Sequence, residues 1–139
     1  INKIIPVITD NITVSTDIFN KKIPRFNKII KIASEQSQRV FLPKLEKIIN
    51  FKTFFSLYKK EDTIIAYEKA KTPIKMLLRN NISNTSVLNL FIGCEGGFSA
   101  FEVKLLEENN FNLVSISDNI LRAETAVITG LSSIAYELS

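Results

Sequence analysis

Ile92-Gly93-Cys94-Glu95-Gly96-Gly97-Phe98-Ser99 joins an apolar run to a helix start. Upstream, Val87-Leu88-Asn89-Leu90-Phe91-Ile92 has the length and composition of a strand. Downstream, Ser99 stands three residues before Glu102, the spacing of a capping box at a helix N-terminus. Three of the chain's four glycines fall between these elements, at 93, 96 and 97. Glycine admits positive φ and lets a ligand lie directly against the backbone. A strand, a glycine-rich turn and a helix N-terminus together present amides suited to an anion or a polar cofactor. An ordinary tight strand-to-helix turn has the same ingredients. The spacing is neither G-x-G-x-x-G nor G-x-x-x-x-G-K-[ST], which argues against a dinucleotide fold and a P-loop.

The 139 residues are one domain's worth, long enough for a single sizeable core. An apolar fraction of 45% and a charged fraction of 23% are those of a soluble globular protein. No apolar run is long enough to predict a membrane span. The start, Ile1-Asn2-Lys3-Ile4-Ile5-Pro6, has neither a signal-peptide pattern nor an initiator Met, so a fragment of a longer protein is expected. Cys94 is the one cysteine, which excludes an internal disulfide; with no His beside it, no metal site is expected. The net charge of +4 hides an asymmetry. Residues 1–60 carry 12 Lys/Arg against 4 Asp/Glu, and residues 61–139 carry 6 against 10. A basic half joined to an acidic half suggests that the first faces a polyanion, although scattered lysines also serve solubility.

Taken in order, residues 4–8 read as a short buried strand, at an edge or interrupted where Pro6 removes a donor. Residues 12–14 read as a brief extended stretch. A helix is expected over residues 23–38, with Pro24 in its first turn and Phe26, Ile29, Ile30 and Ala33 on its apolar face. It ends in the polar cluster Glu35-Gln36-Ser37-Gln38-Arg39, ahead of Pro43. Such a cluster is a solvated terminus or a set of contacts to bases and phosphates. Residues 45–49 form a weak strand candidate, and Asn50 caps a helix over residues 51–57 whose Phe51, Phe54 and Phe55 belong to the core. A strand over residues 63–67 ends at Glu68, and Thr72-Pro73 opens a helix to Arg79 as N-cap and first residue. A polar loop over residues 80–86 leads to the strand 87–92. The helix after Ser99 runs to Asn109 with Phe101, Leu105 and Leu106 inward, and residues 113–116 form another strand. A last helix over residues 122–138 has Val127, Leu131, Ile134 and Leu138 as its buried stripe, widened by Ile128 and Ala135.

Alternating strands and helices predict an α/β fold with a mostly parallel sheet flanked by helices. Ligands of such sheets lie beyond the carboxyl ends of the strands, so the loops after Tyr67, Ile92 and Ile116 should converge. The third loop, residues 117–126, places Ile120 and Leu121 in a polar turn, where they make sense as walls of a pocket. Glu124 suits the helix start that follows, whereas Arg122 opposes the dipole and hints at service to a phosphate or nucleobase.

Residues 92–99 together with Ile120-Leu-Arg-Ala-Glu-Thr-Ala126 resemble the paired signature of RsmE-type ribosomal RNA methyltransferases of the SPOUT superfamily. Ile32-Ala-Ser-Glu-Gln-Ser-Gln-Arg39 with Pro43, and Tyr67-Glu68 at the end of their strand, match two further motifs in the same order. The resemblance spans nearly the whole chain. It implies a SPOUT-type domain with a C-terminal trefoil knot, working as a cytoplasmic homodimer. The implied reaction is methylation of uridine N3 in 16S ribosomal RNA of the small subunit, with S-adenosylmethionine as donor. On this likeness the cofactor residues are Tyr67, Glu68, Ile92, Gly93, Glu95, Gly96, Gly97, Ile116, Ile120 and Leu121, the last three placed against the adenine. Arg122 would stabilise the deprotonated base, and Glu95 or Glu124 would receive the proton; Arg122 and Glu124 are the catalytic candidates. Arg25, Gln36, Ser37 and Arg39 are the candidate RNA contacts.

The chain also departs from that pattern. Cys94 stands where a Pro is usual, Gln38 and Ser117 where Gly is usual, and Asn119 where Arg is usual. Ser117 would crowd the cofactor if its position required positive φ. The family's PUA-like RNA-binding domain, and the first strand and helix of its methyltransferase domain, are expected to precede Ile1. Two other functions remain open: another SPOUT methyltransferase acting on a ribose 2′-hydroxyl, and a domain that binds cofactor or RNA without catalysis.

Overall fold

The computed structural model describes residues 1–81 and 87–138; most of the expected loop over residues 80–86 therefore lies outside the described residues. The chain forms two compact units, Ile1–Ile8 with Ile12–Phe54, and Thr9–Asn11 with Phe55–Ser139. Every strand pair among the described residues is parallel. The expected α/β class with parallel pairing is what the structure has.

In the first unit, β1 (Lys3–Ile4) pairs with β3 (Lys44–Leu45), and β2 (Val7–Ile8) pairs with β4 (Ile49–Asn50). The strand expected over residues 4–8 is thus split. Pro6 has no N–H to continue a ladder, and only its carbonyl is used, accepting from Ile49 N at 3.0 Å. Ile4 is exposed rather than buried. Residues 45–49 are split in the same way, and residues 12–14 form no strand.

Helix α1 spans Thr16–Gln36, starting seven residues before its expected position. Ser15 is the N-cap, its Oγ accepting from Ile18 N, so Pro24 lies inside the helix instead of opening it. An interior Pro removes one helical hydrogen bond, and here it does so on the exposed side. The inward stripe is Phe19, Ile23, Phe26, Ile30 and Ser34, while Ile29 and Ala33 face solvent. Gln38 follows at φ 52, and the bonds Gln38 N to Glu35 O and Arg39 N to Ser34 O close the helix as a Schellman motif. Helix α2 (Phe51–Leu57) has the expected bounds and cap, Asn50 Oδ1 accepting from Thr53 N at 2.7 Å; of its three aromatics Phe54 is buried, and Phe51 and Phe55 are half-buried.

The second unit is built on a three-stranded sheet in the order β6-β5-β7, with β5 (Thr63–Ala66) between β6 (Asn89–Ile92) and β7 (Asn112–Val114). As the central strand, β5 is buried on both faces. Ile64, Leu90 and Val114 share one face and pack with Ile74, Leu77, Leu78 and Ile134 of α3 (Ile74–Asn81) and α5 (Ala123–Leu138). Helix α4 (Ala100–Glu108) packs along β7. Thr72 and Pro73 do not cap α3: Thr72 O accepts from Ser115 N, and Pro73 bridges Ser115, so the helix begins at Ile74.

Two inward stripes need correction. Leu106 is buried as expected, but Phe101 is largely exposed, and Phe98 takes the inner position against Phe91, ring centroids 5.1 Å apart. In α5 the inner side runs through Ala126, Gly130 and Ile134, leaving Val127, Ile128, Ala135 and Leu138 exposed. Gly130 explains the rotation. A Cβ there would lie 2.9 Å from Leu90 Cδ2 and 3.1 Å from Ile116 Cδ1, so the missing side chain brings α5 close to the sheet. Among the described residues, no helix is long and apolar enough to cross a membrane.

Candidate functional site

Because β5, β6 and β7 are parallel, their carboxyl ends lie at one edge of the sheet. The loops after them enclose a cavity of about 700 Å³. All ten residues expected to hold a cofactor line it: Tyr67 and Glu68 from the first loop; Ile92, Gly93, Glu95, Gly96 and Gly97 from the second; Ile116, Ile120 and Leu121 from the third. Arg122 and Glu124 line it as well. Its walls combine backbone, aliphatic side chains and a few charged groups, the usual make-up of a small-molecule site.

Each glycine of the second loop has a local reason. Cys94 O accepts from Gly97 N at 2.8 Å, closing a tight turn, and Gly97 then takes φ +65. Gly93 lies against the Phe98 ring, 3.3 Å from where a Cβ would stand. A Cβ on Gly96 would come within 2.9 Å of Asn11 Cβ. Of the two roles expected for these glycines, positive φ is met at Gly97, while Gly93 and Gly96 make room for the protein itself.

Behind the loop lies a segment that sequence reasoning missed. Asn11 Nδ2 donates to the carbonyls of Gly96 (2.9 Å) and Gly97 (3.3 Å). The hydroxyl of Thr9, a buried residue, donates to Cys94 Sγ. Ser99 Oγ donates to Asp10 Oδ2 and accepts from Glu102 N. Glu102 is 1% exposed; its two carboxylate oxygens accept from Asp10 N and Ser99 N, each at 2.9 Å. The expected capping box is therefore present, and it also holds residue 10. Nothing local in Thr9-Asp10-Asn11 announces this, since the partners lie 85 to 92 positions away.

The third loop resolves one expectation. Ser117 does not adopt positive φ; its Oγ accepts from Asn119 N at 3.1 Å in a local turn. No glycine is required there. Ile120 is 83% exposed, a large apolar side chain on a cavity wall with little covering it. Arg122 O accepts the first helical bond of α5 from Ala126 N at 2.8 Å, so Arg122 sits immediately before the helix. The ion pairs among the described residues do not include one between Arg122 and Glu124. Arg122 is the one cation among the described residues lining the cavity, against Glu68, Glu95 and Glu124.

The candidate RNA contacts lie in the first unit. Arg25 is exposed on α1, and Gln36 is the last residue of that helix. Ser37 Oγ donates to Ala33 O at 2.8 Å, and Arg39 Nη2 donates to Ile1 O at 2.7 Å. These two therefore also have structural work. Among the described residues, no group of His, Cys, Asp and Glu side chains could hold a metal ion.

Comparison with known proteins bears on this geometry. Residues 1–135 match the family described as an RNA methyltransferase domain. The chain is 34% identical to the ribosomal RNA small subunit methyltransferase E of Rickettsia conorii, over 96% of this chain and 53% of that protein. A Legionella pneumophila protein solved with the cofactor SAM bound superposes with a TM-score of 0.84 at 28% identity, over 98% of this chain and 55% of that one. The fold also matches a ribosomal RNA small subunit methyltransferase E from Neisseria gonorrhoeae, with a TM-score of 0.78 at 24% identity over 99% and 53% of the two chains. The chain spans about half the length of the curated relatives it matches.

Proposed function

The chain belongs to the RNA methyltransferase domain family, and we propose that it uses S-adenosylmethionine to methylate N3 of a uridine in 16S ribosomal RNA. The observation that carries this reading is the convergence of three strand-end loops on one cavity, lined by the glycine-rich turn and by Ile116, Ile120 and Leu121. At about 700 Å³ the cavity has the size of sites that enclose a nucleoside-sized ligand. Backbone at Gly93, Glu95, Gly96 and Gly97 would hold the polar tail, Ile92 would lie beneath, the third loop would pack on the adenine, and Tyr67 and Glu68 would border the pocket. Three carboxylates against one guanidinium suit a ligand that brings a positive charge.

When bound, S-adenosylmethionine supplies a methyl group on a sulfonium that is already a good leaving group. The protein's share is placement of the base in line with that methyl. Arg122, which lines the cavity, would stabilise negative charge on the uracil once N3 has lost its proton. Glu95 and Glu124 are both at hand as the acceptor. Residues 1–60, with their excess of basic side chains, supply attraction to the phosphate backbone, and Arg25, Gln36, Ser37 and Arg39 are the contacts proposed within them. A SPOUT-type knotted topology, a cytoplasmic site of action and a homodimer belong to the same proposal. The dimer is supported by the exposed apolar side of α5, where Val127 and Ile128 stand out.

Titration calorimetry with S-adenosylmethionine, paired with thermal unfolding, tests the reading. Binding heat and a raised melting temperature are expected; the absence of both refutes it. Mass mapping of methylated ribosomal RNA then separates uridine N3 from a ribose 2′-hydroxyl. Binding without turnover would favour the non-catalytic reading, for which Asn119, in place of an expected Arg, is the specific argument.

A further inference from the structure

We propose that Thr9, Asp10 and Asn11 are positioning residues for the glycine-rich loop: they hold residues 94–99 in ligand-ready shape before any ligand arrives. The proposal rests on the reading of the cavity as a cofactor site.

Glycines impose the largest ordering cost of any residue, so a loop containing Gly93, Gly96 and Gly97 is not rigid by its own sequence. Its internal support is the turn bond from Gly97 N to Cys94 O, with the longer contact from Cys94 Sγ to Gly97 O. Beside the Ser99–Glu102 capping box and the Phe98–Phe91 ring contact at its end, three consecutive residues distant in sequence add further support. Thr9 takes the Cys94 sulfur, Asp10 takes the Ser99 hydroxyl at the helix start, and Asn11 takes two successive carbonyls with one amide nitrogen.

That double contact fixes the planes of the peptides 96–97 and 97–98. A trans peptide carries its N–H opposite its C=O, so the Phe98 N–H is turned to the side away from Asn11. The close fit of Gly96 onto Asn11, 2.9 Å from a Cβ position to Asn11 Cβ, is independent evidence that segment and loop are built against each other. A loop held in one shape spares the ligand the cost of ordering it, and the gain appears as affinity.

The test uses the whole 139-residue chain with Asn11→Ala and Asn11→Asp. Aspartate keeps the shape but cannot donate to two carbonyls. The first readout needs no ligand: amide hydrogen exchange at residues 95–98, compared with β5. Faster exchange confined to the loop in both variants is expected. Unchanged exchange, or acceleration shared equally by β5, overturns the positioning role. The second readout is calorimetry with S-adenosylhomocysteine, whose Kd should rise about tenfold in both variants. A Kd that stays within twofold of the parent's overturns the proposal. If the parent chain shows no binding, the cofactor reading fails, while the exchange experiment still decides whether Asn11 holds the loop.

Discussion

Replacing Glu102 by Gln removes one acceptor from a buried site without changing its shape. In the parent, each carboxylate oxygen accepts one backbone N–H, from Asp10 and from Ser99, and the residue is 1% exposed. A glutamine amide can accept one of these bonds. Its NH2 must then face the other N–H, leaving a buried donor without a partner. A hydrogen bond to a charged group contributes about 1.5–3 kcal/mol, and an unsatisfied buried donor costs about 1–3 kcal/mol. Allowing for relaxation, Glu102→Gln should cost about 2 kcal/mol. For 139 residues the entropy of unfolding is roughly 0.3 kcal/mol per degree, so the melting temperature should fall by about 7 °C. Glu102→Ala loses both bonds and leaves a void, and should cost about 4 kcal/mol. Glu107→Gln, five residues along on the exposed side of α4, is the control and should stay within about 0.5 kcal/mol. Thermal unfolding followed by far-ultraviolet circular dichroism measures all three. If Glu102→Gln melts within about 1 °C of the parent, the reasoning from two satisfied donors is wrong.

Other substitutions probe other parts of the chain. Gln38 holds a left-handed conformation at the end of α1, so Gln38→Gly should stabilise by about 0.5–1 kcal/mol in denaturant titration; any loss refutes the strain argument. Gly130→Ala gains about 1 kcal/mol of helix propensity but pushes on Leu90 and Ile116, at an overpacking cost of about 1–3 kcal/mol. Net destabilisation is expected, together with weaker cofactor binding because Ile116 lines the cavity; a clear rise in melting temperature would show that the contact is loose. Arg122→Ala should slow single-turnover methyl transfer by about a hundredfold while cofactor affinity stays within about twofold, and an unchanged rate removes Arg122 from the chemistry.

What the sequence made legible was local. Ser99 and Glu102 announce a helix start by spacing, Asn50 caps α2 as read, and the parallel-strand rule brings three loops together without any contact being known. The failures have physical causes. Ser15 and Pro24 both signal a helix start, and the fold follows the cap, leaving Pro24 on the exposed side of the helix. In α5 the apolar spacing points to Val127 and Leu138, yet the face chosen is the one where Gly130 admits close approach to Leu90. Large side chains mark a stripe; a missing side chain marked the contact. Thr9, Asp10 and Asn11 carry no periodicity or motif, and only their distant partners give them meaning.

The span between those partners bears on the order in which the domain assembles. Thr63 and Asn89, at the start of the β5–β6 pairing, are 26 residues apart, whereas Asn11 and Gly96 are 85 apart. Closing the longer loop costs roughly 1 kcal/mol more in chain entropy, and few contacts reward it until the sheet exists. That difference favours pairing of the strands ahead of docking of the glycine turn. The glycine wall of the cavity thus depends on contacts of longer sequence span than those of the sheet that carries it.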